Sequence, residues 1–301
     1  MSILIFHRVL PEYDPLRPNE PTEAEFAQQM SVLRQYFQPL PLLEAVERLR
    51  EGSLPPRSVC VTFDDGYADN AEYAMPVLKR YAIPATIFVA TGFLNGGRMF
   101  NDTVIETVRG VQGERLDLRP FDLDDYPVAT TADRLAAIAE ILNTIKHLQP
   151  DRREAVTGAI ESFAESLPDN LMMTDEQVRS LVNNGLEVGA HTVHHPILAS
   201  VDAQTALQEI STCKAQLEAL LQREVLSFAY PNGRPGIDYR QEHRDMVSSC
   251  GFRTAVATHW GAAVASSDPY QLPRFTPWDT QPARYAARLL LNYRRGDSLV
   301  A

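Results

Sequence analysis

The chain has 301 residues, of which 45% are hydrophobic and 22% are charged, and this composition is ordinary for a globular protein. Such a length can form one large domain or two modest ones. The formal net charge of −11 argues against a nucleic-acid partner, because the neutralisation of phosphates requires a basic face. It gives no support for adsorption to an anionic membrane surface either.

The N-terminal residues show no basic leader, no long apolar region and no small-residue cleavage site. No stretch reaches the roughly 18 uninterrupted apolar residues of a transmembrane helix. The three cysteines, Cys60, Cys213 and Cys250, lack metal-ligand spacing, so we expect buried free thiols. Together these features predict a cytoplasmic protein without a transmembrane segment, provided that the natural chain begins at Met1.

The first ninety residues alternate between strand and helix patterns. We predict strands at 3–9, which contains His7, at 58–63 and at 84–90. Helices are predicted from the capping box Thr22-x-x-Glu25, over 42–50, and from an Asn70 cap to about residue 81. Strand, helix and strand within so short a stretch form a βαβ unit, which predicts a parallel sheet that is buried on both faces.

Between about 95 and 170 the chain has no buried-strand pattern. A polar stretch at 109–126 predicts loops, and helix patterns follow at 131–147 and 151–166, so we expect a mostly helical insertion. The alternation resumes with the capping box Thr174 and Gln177, then strands at 186–190, 226–230, 253–257 and 271–275 and helices at 202–221, 239–249 and 281–292. Six or seven short strands, most followed by helices, predict an α/β fold, specifically a distorted (β/α) barrel of about seven strands.

Three predicted strands end in polar clusters, at 64–66, 191–196 and 230–233. In parallel α/β folds such groups collect on one rim, beyond the carboxyl ends of the strands. Asp64 and Asp65 are neighbours and point to opposite faces, so one carboxylate suits a metal and the other suits proton transfer. His191 and His195 are spaced so that both imidazoles can bind one metal if the segment turns.

Each cluster also has a simpler interpretation. The aspartates fit a polar loop that leaves a strand and caps the next helix, and a lone histidine pair is more often a surface feature. The occurrence of carboxylates and histidines at strand ends of one sheet favours the metal interpretation.

The clusters resemble the motifs of a known family. Thr62-Phe63-Asp64-Asp65-Gly66, His191-Thr192-x-x-His195 and Phe228-Ala229-Tyr230-Pro231-Asn232-Gly233 are similar, in order and spacing, to the three motifs of the polysaccharide deacetylases. These form carbohydrate esterase family 4 and share a homology domain with chitooligosaccharide deacetylase. The resemblance covers most of the chain outside the insertion. It implies one catalytic domain over 1–301, with the insertion at about 95–170.

The resemblance also implies an activity and its ligands. A family member is a metal-dependent hydrolase that uses activated water to remove N-acetyl groups from an amino-sugar-containing saccharide, which can be a polymer, an oligosaccharide or a precursor. The metal would lie on Asp65, His191 and His195, and Asp64 would be the general base. This ligand set suits Zn²⁺, and Co²⁺, Ni²⁺ or Mn²⁺ would also fit.

The third motif supplies the remaining electrostatic group in the family. A main-chain N–H there helps to hold the oxyanion, and by position we expect the donor near Tyr230 or Asn232. His259-Trp260-Gly261 follows the same part of the chain, and the Trp260 indole could stack on a sugar ring; a core or interface position is an equal alternative.

The chain departs from the family pattern in two places. Ala229 stands where many members have an arginine that orients the catalytic aspartate, and no histidine follows His259 to act as the general acid. The segment 3–9 resembles the N-terminal strand of biofilm poly-N-acetylglucosamine deacetylases, whose permuted barrel implies His7 as the acid. A hydrogen-bonded core histidine is the alternative. Arg274, after a strand-like run, is our candidate for the missing arginine.

Two rival functions remain open at this stage. Relatives of the family open cyclic amides such as allantoin, but they tend to have altered metal motifs, whereas all three ligands are present here. A barrel that binds saccharide without turnover is the second rival, and Ala229 is the feature that favours it. A cytoplasmic location favours a precursor, a lipid-linked intermediate or an oligosaccharide as the substrate over a finished polymer.

Overall fold

The computed structural model describes residues 1–146, 148–276 and 278–299. The chain forms two compact units. The first, which we call the sheet unit, comprises Met1–Tyr13, Asn19–Asn95 and Met172–Ala301, and the second, the helical unit, comprises Asp14–Pro18 and Gly96–Leu171. No helix within the described residues is both long enough and apolar enough to cross a membrane.

Strands and helices alternate along most of the chain. The strands are β1 (Ser2–Phe6), β2 (Gln38–Pro39), β3 (Ser58–Phe63), β4 (Ala85–Val89), β5 (Arg115–Asp117), β6 (Asp125–Pro127), β7 (Glu187–Ala190), β8 (Ser227–Ala229) and β9 (Thr254–Val256). The helices are α1 (Glu23–Tyr36), α2 (Leu42–Glu51), α3 (Met75–Tyr81), α4 (Phe100–Gly110), α5 (Thr131–Ile145), α6 (Pro150–Glu161), α7 (Asp175–Asn183), α8 (Ala203–Leu221), α9 (Gln241–Ser249) and α10 (Pro282–Tyr293).

The sheet unit is built on a parallel sheet with the strand order β1-β3-β4-β7-β8-β9, and β2 also pairs with β3. The segment after β9 makes isolated parallel bridges to both edges of this sheet, since Leu272 pairs with Val256 of β9 and Phe275 pairs with Leu4 of β1. The sheet therefore curls into the distorted (β/α) barrel that the sequence predicts. Its strand residues are nearly all buried, as a parallel sheet that is covered on both faces requires.

Three phenylalanines join the first helix to this sheet. The rings of Phe6 on β1, Phe26 on α1 and Phe63 on β3 lie within 5.2–5.7 Å of one another, and all three are buried. Phe6 lies opposite Phe63 in the pairing of β1 with β3, so these two strands end at the same level. This register sets the position of the residues that follow each strand.

The capping boxes predicted at Thr22 with Glu25 and at Thr174 with Gln177 are confirmed, and they start α1 and α7. The prediction that His7 lies inside a buried strand is wrong. β1 ends at Phe6, whose carbonyl oxygen accepts the last ladder hydrogen bond from the Asp64 N–H, and His7 is exposed beyond it.

Asn70 was expected to cap a helix, and this prediction is also wrong. Asn70 begins a π-helical turn over Asn70–Ala74 that leads into α3. Its side-chain amide donates instead to the main-chain oxygen of His7 at 2.9 Å and to Asp69 at 3.1 Å. Wide turns of this kind are frequent near functional sites.

The helical unit contains α4, α5 and α6 around a separate apolar core, which includes Val104, Ile141 and Ile160. The stretch 109–126 is not all loop, because β5 and β6 form a short antiparallel hairpin within it. A hairpin of three-residue strands is too short to show an alternating pattern in the sequence. The predicted end of the fifth helix at His147 lies outside the described residues.

Gly189 on β7 is a position where the barrel has no spare room. A Cβ at this residue would lie 2.4 Å from the ring of Phe88, its partner on β4, and 2.7 Å from Ser227 Oγ. We expect Gly189→Ala to lower the free energy of unfolding by about 1–3 kcal/mol, because the ring has to leave its packed position. Gly158→Ala on α6 is the matched control, since its Cβ meets nothing within 4 Å.

The control should gain about 0.5–1 kcal/mol from helix propensity. Calorimetric unfolding of both variants beside the parent chain measures the two effects. Equal stability of Gly189→Ala and the parent chain would contradict the packing described here.

Candidate active site

The carboxyl ends of β1, β3, β7 and β8 bring most of the motif residues to one rim. Asp64 and Asp65 follow β3, and His191 follows β7 directly. Tyr230 follows β8, while His7 follows β1 at the level set by the pairing of Phe6 with Phe63. The pairing of these parallel strands thus brings together groups that lie far apart in sequence.

Asp64 is buried and paired with a buried arginine. Its two carboxylate oxygens accept hydrogen bonds from Arg274 Nη1 at 2.7 Å and Nη2 at 2.6 Å. The same guanidinium donates to the Ala257 carbonyl oxygen at 2.9 Å and to Thr62 Oγ1 at 3.2 Å. Arg274 is 1% exposed and its guanidinium lies 5.9 Å from the centre of the Phe88 ring. Both groups are therefore fixed in direction.

Burial by itself would raise the pKa of Asp64, but the charge of Arg274 and the nearby His191 outweigh this effect. The pKa of Asp64 is consequently held below its usual range, and the carboxylate is ionised at neutral pH. A bidentate guanidinium leaves little rotational freedom to this carboxylate.

Asp65, His191 and His195 form the one cluster of potential metal ligands found among the described residues. One ligand atom from each lies within 4.8 Å of the others. Asp65 Oδ1 is 3.4 Å from His191 Nε2 and 3.5 Å from His195 Nε2. Burial opposes ionisation of Asp65, yet the contacts with both histidines hold the pKa of this carboxylate well below its usual value.

The cluster fits a divalent cation on two further observations. His191 Nδ1 lies 2.7 Å from the Ala229 carbonyl oxygen, so this nitrogen carries a proton and Nε2, on the side of Asp65, is the nitrogen that can bind a metal. Asp65, Thr192 and His195 all have positive φ angles, of 77°, 65° and 52°. Such conformations are costly for residues other than glycine, and they are typical of functional sites.

His7 is exposed on the same rim. It also lowers the pKa of Asp64 and Asp65, in addition to the groups named above. Two hydrogen bonds fix the main chain at and after His7. Asn70 donates to the His7 carbonyl oxygen, and Asp69 Oδ1 accepts the N–H of Val9 at 3.2 Å.

The main-chain N–H groups of the third motif differ in availability. The Tyr230 N–H lies 3.3 Å from the Val256 carbonyl oxygen, and its phenol donates to the Tyr270 carbonyl oxygen, so donation to a substrate has to compete with the sheet. Asn232 is exposed at a φ of 58°, and its N–H has no acceptor among the residues that the structure describes. The geometry therefore favours Asn232 as a free donor.

Trp260 belongs to an exposed aromatic group rather than to the core. It is 43% exposed and stacks on Trp278 with ring centres 5.1 Å apart, and Phe275 contacts both rings. Phe275 follows Arg274 in the chain, so the aromatic group borders the residue that binds Asp64.

Comparison with known proteins places this site in a family. The family model described as polysaccharide deacetylase matches residues 51–114 and 123–255, which together are more than half of the chain. The chain belongs to the polysaccharide deacetylase family. Asp64, Asp65, His191 and His195 all lie within the matched ranges, whereas His7 and Arg274 lie outside them.

Two relatives illustrate the range of similarity within the family. The Bacillus subtilis (strain 168) protein YxkH is 22% identical over 239 residues, which are 79% of this chain and 58% of YxkH. The poly-beta-1,6-N-acetyl-D-glucosamine N-deacetylase of Staphylococcus epidermidis is 36% identical over 81 residues, 27% of this chain and 28% of that enzyme. The chain therefore spans less than two thirds of the length of either relative.

Two solved structures share the fold along nearly the whole chain. Streptococcus pyogenes deacetylase PplD, solved in complex with acetate, has a TM-score of 0.64 and 19% identity and covers 97% of both chains. IcaB from Ammonifex degensii has a TM-score of 0.63 and 22% identity and covers 96% of both chains.

The sequence interpretation missed two members of the site. Thr62 binds both Arg274 and the Leu4 carbonyl oxygen, at 3.2 and 2.7 Å. Its position two residues before Asp64 in β3 was an available signal, because alternate strand residues share a face. Glu209, on α8, binds the loop between the two histidines, and its place in a helix pattern gave no signal of this contact.

The Arg274–Asp64 pair predicts a strongly non-additive effect on stability. Arg274→Met leaves a buried carboxylate without its partner, and we expect it to lower the free energy of unfolding by about 3–5 kcal/mol. The double variant Arg274→Met, Asp64→Asn should lose clearly less stability than Arg274→Met alone, because no unpaired buried charge remains. Denaturation of the two single variants and the double variant measures the coupling.

Arg284→Met is the matched control, since Arg284 is exposed on α10. It should unfold like the parent chain. Additive losses in the double variant would contradict the pairing.

Proposed function

We propose that the protein is a metal-dependent hydrolase that removes N-acetyl groups from an amino-sugar-containing saccharide. The proposal rests above all on the Asp65, His191 and His195 cluster, which lies directly beside an Asp64 carboxylate held by Arg274. Family membership and the similarity to the staphylococcal N-deacetylase support the same reaction class. All residues used in the proposal belong to the sheet unit. We accordingly propose one catalytic domain in which the segment near 95–170 is an insertion.

Asp65, His191 and His195 would hold the metal through one carboxylate oxygen and two imidazole nitrogens. When bound, a divalent metal lowers the pKa of a water molecule and polarises the acetyl carbonyl. Two histidines and one carboxylate suit Zn²⁺, which is our first choice, and Co²⁺, Ni²⁺ or Mn²⁺ can take the same ligands. The Ala229 carbonyl oxygen fixes the His191 ring in the tautomer that binding requires.

Asp64 is the proposed general base. It is ionised, it cannot rotate away from the bidentate Arg274, and it lies next to the ligand Asp65. Asp64 Oδ2 is 4.0 Å from His191 Nε2, so the base faces the same space as the ligands. Arg274 acts on the reaction through Asp64, and we propose it as the positioning residue that replaces the arginine absent at Ala229.

His7, Asn232, Tyr230 and Trp260 complete the proposed site. His7 would give a proton to the leaving amine, a role that an exposed imidazole near neutral pH can fill. The free N–H of Asn232, or that of Tyr230 once released from Val256, would hold the oxyanion. Trp260 would contact the sugar ring beside the reacting acetamide.

We also propose that the protein works in the cytoplasm on an oligosaccharide or a precursor. Cys60 and Cys213 are buried free thiols and Cys250 is free and partly buried, which suits a reducing compartment. Fractionation of the source cells tests this location, and recovery of the protein outside the cytoplasm would contradict it.

Asp64→Asn and Asp65→Ala separate the base from the ligand. We expect Asp64→Asn to keep the metal of the parent protein and to lower acetate release from N-acetylglucosamine oligomers by about 10²–10⁴-fold. Asp65→Ala should lose both the metal and the activity, because one of three ligands is missing. Elemental analysis and an acetate assay on the same preparations measure both effects.

Other outcomes distinguish the rival functions. Hydrolysis of allantoin without acetate release from any amino-sugar substrate would identify a cyclic amide hydrolase. Saccharide binding by metal-loaded protein without turnover would identify a binding barrel. The presence of all three ligands favours the deacetylase over the cyclic amide hydrolase. The pairing of Arg274 with Asp64 favours it over the binding barrel, because Arg274 supplies the cation absent at Ala229.

A further inference from the structure

The loop between the two histidines is held in an unfavourable conformation. Thr192 and His195 both have left-handed φ angles, and the intervening Val193 and His194 connect them. A non-glycine residue in this region costs of the order of 1 kcal/mol, so a loop with two of them persists only when its surroundings fix it. The hydrogen bonds that fix this loop therefore bear directly on the geometry of His195.

One carboxylate supplies three of these hydrogen bonds. Glu209 Oε2 accepts the main-chain N–H groups of Val193 and His194, each at 2.8 Å, and Oε1 lies 2.8 Å from His194 Nδ1. The Glu209 side chain is 13% exposed, whereas His194 is 69% exposed. The partly buried Glu209 carboxylate thus binds the main chain of the loop, and the His194 ring is its solvent-exposed partner.

The opposite side of the loop is held by main-chain bonds. The N–H groups of Thr91 and Gly92 donate to the carbonyl oxygens of Thr192 and Val193, at 3.3 and 2.9 Å. A Cβ on Gly92 would lie 2.8 Å from the Val193 oxygen, so the two segments touch without a gap. The loop therefore lies between the segment at Thr91 and Gly92 and the carboxylate of Glu209.

Glu209 itself is placed by a rigid element. It precedes Ile210 on α8, and Ile210 and Cys213 are fully buried against the sheet. Cys213 Sγ lies 3.5 Å from the carbonyl oxygen of Val89 at the end of β4. The carboxylate position is thus tied to the same sheet that positions Asp65 and His191.

We propose that Glu209 is a positioning residue that sets the metal affinity by holding His195 toward Asp65 and His191. The inference rests on the proposed metal centre. Groups that orient a ligand from behind typically change metal affinity by about 10–100-fold when they are removed. Here the carboxylate acts on the main chain next to the ligand, so its removal lets the strained loop relax away from the cluster.

The test measures metal affinity by competition with a chromophoric chelator, using the full chain and Zn²⁺. We expect Glu209→Ala to raise the dissociation constant by about 10-fold or more. Glu209→Gln keeps the shape and one acceptor oxygen, so it should show a smaller loss. His194→Ala keeps both main-chain bonds and should stay within about 3-fold of the parent protein. Glu154→Gln on α6 is the matched control, because Glu154 is exposed and has no hydrogen bond or ion pair among the described residues.

The melting temperature of each metal-free variant separates positioning from stability. A lower melting temperature with an unchanged dissociation constant in Glu209→Ala and Glu209→Gln would show a purely structural role and overturn the proposal. An equal loss of affinity in His194→Ala and Glu209→Ala would contradict the main-chain route. Asp65→Ala tests the metal centre separately from the role of Glu209. Unchanged Zn²⁺ binding in that variant would refute the metal centre itself.

Discussion

The burial of the Asp64 carboxylate is the constraint on which the rest of the site depends. A buried charge is costly unless it is paired and hydrogen bonded, and Arg274 provides both by binding the two carboxylate oxygens. Arg274 is itself a buried charge, and the Ala257 carbonyl oxygen and Thr62 hydroxyl bind two of its remaining donors. The pair therefore needs its place in the closed barrel, where the segment 272–275 bridges β9 and β1.

This closure gives neighbouring aspartates separate surroundings. Asp64 faces a guanidinium, while Asp65, in a left-handed conformation, faces two imidazoles. Against the effect of burial, Arg274 lowers the pKa of Asp64, whereas contacts with His191 and His195 lower that of Asp65. Adjacent residues at a strand end thus have different partners, and we propose proton transfer at Asp64 and metal binding at Asp65.

Much of the sheet was predictable because its signals are local. The strands at 58–63 and 84–90 are short apolar runs, and the capping boxes at Thr22 and Thr174 are compact patterns. Each can therefore be recognised from its own residues. The end of β1 was not predictable from its own residues, since it depends on where the partner β3 ends. The hairpin of β5 and β6 was missed because three residues per strand show no period.

The candidate site also contains residues that the sequence indicates and residues that depend on tertiary packing. The motifs pointed to Asp64, Asp65, His191 and His195 through their order along the chain, and the structure brings all four together. Arg274 could be named as a candidate from its place after a strand-like run, but its contact with Asp64, 210 positions away in sequence, depends on how the barrel closes. Glu209 could not be found at all, since its contacts depend on the packing of α8 against a loop more than a dozen residues away.

The central claim is that Asp65, His191 and His195 bind one metal and Asp64 does not. Anomalous diffraction from crystals of the Zn²⁺-loaded protein, measured on both sides of the zinc absorption edge, tests it most directly. We expect one peak within bonding distance of these three residues, with Asp64 still bound to Arg274. A zinc ion coordinated by Asp64, or one bound away from this cluster, would contradict this claim.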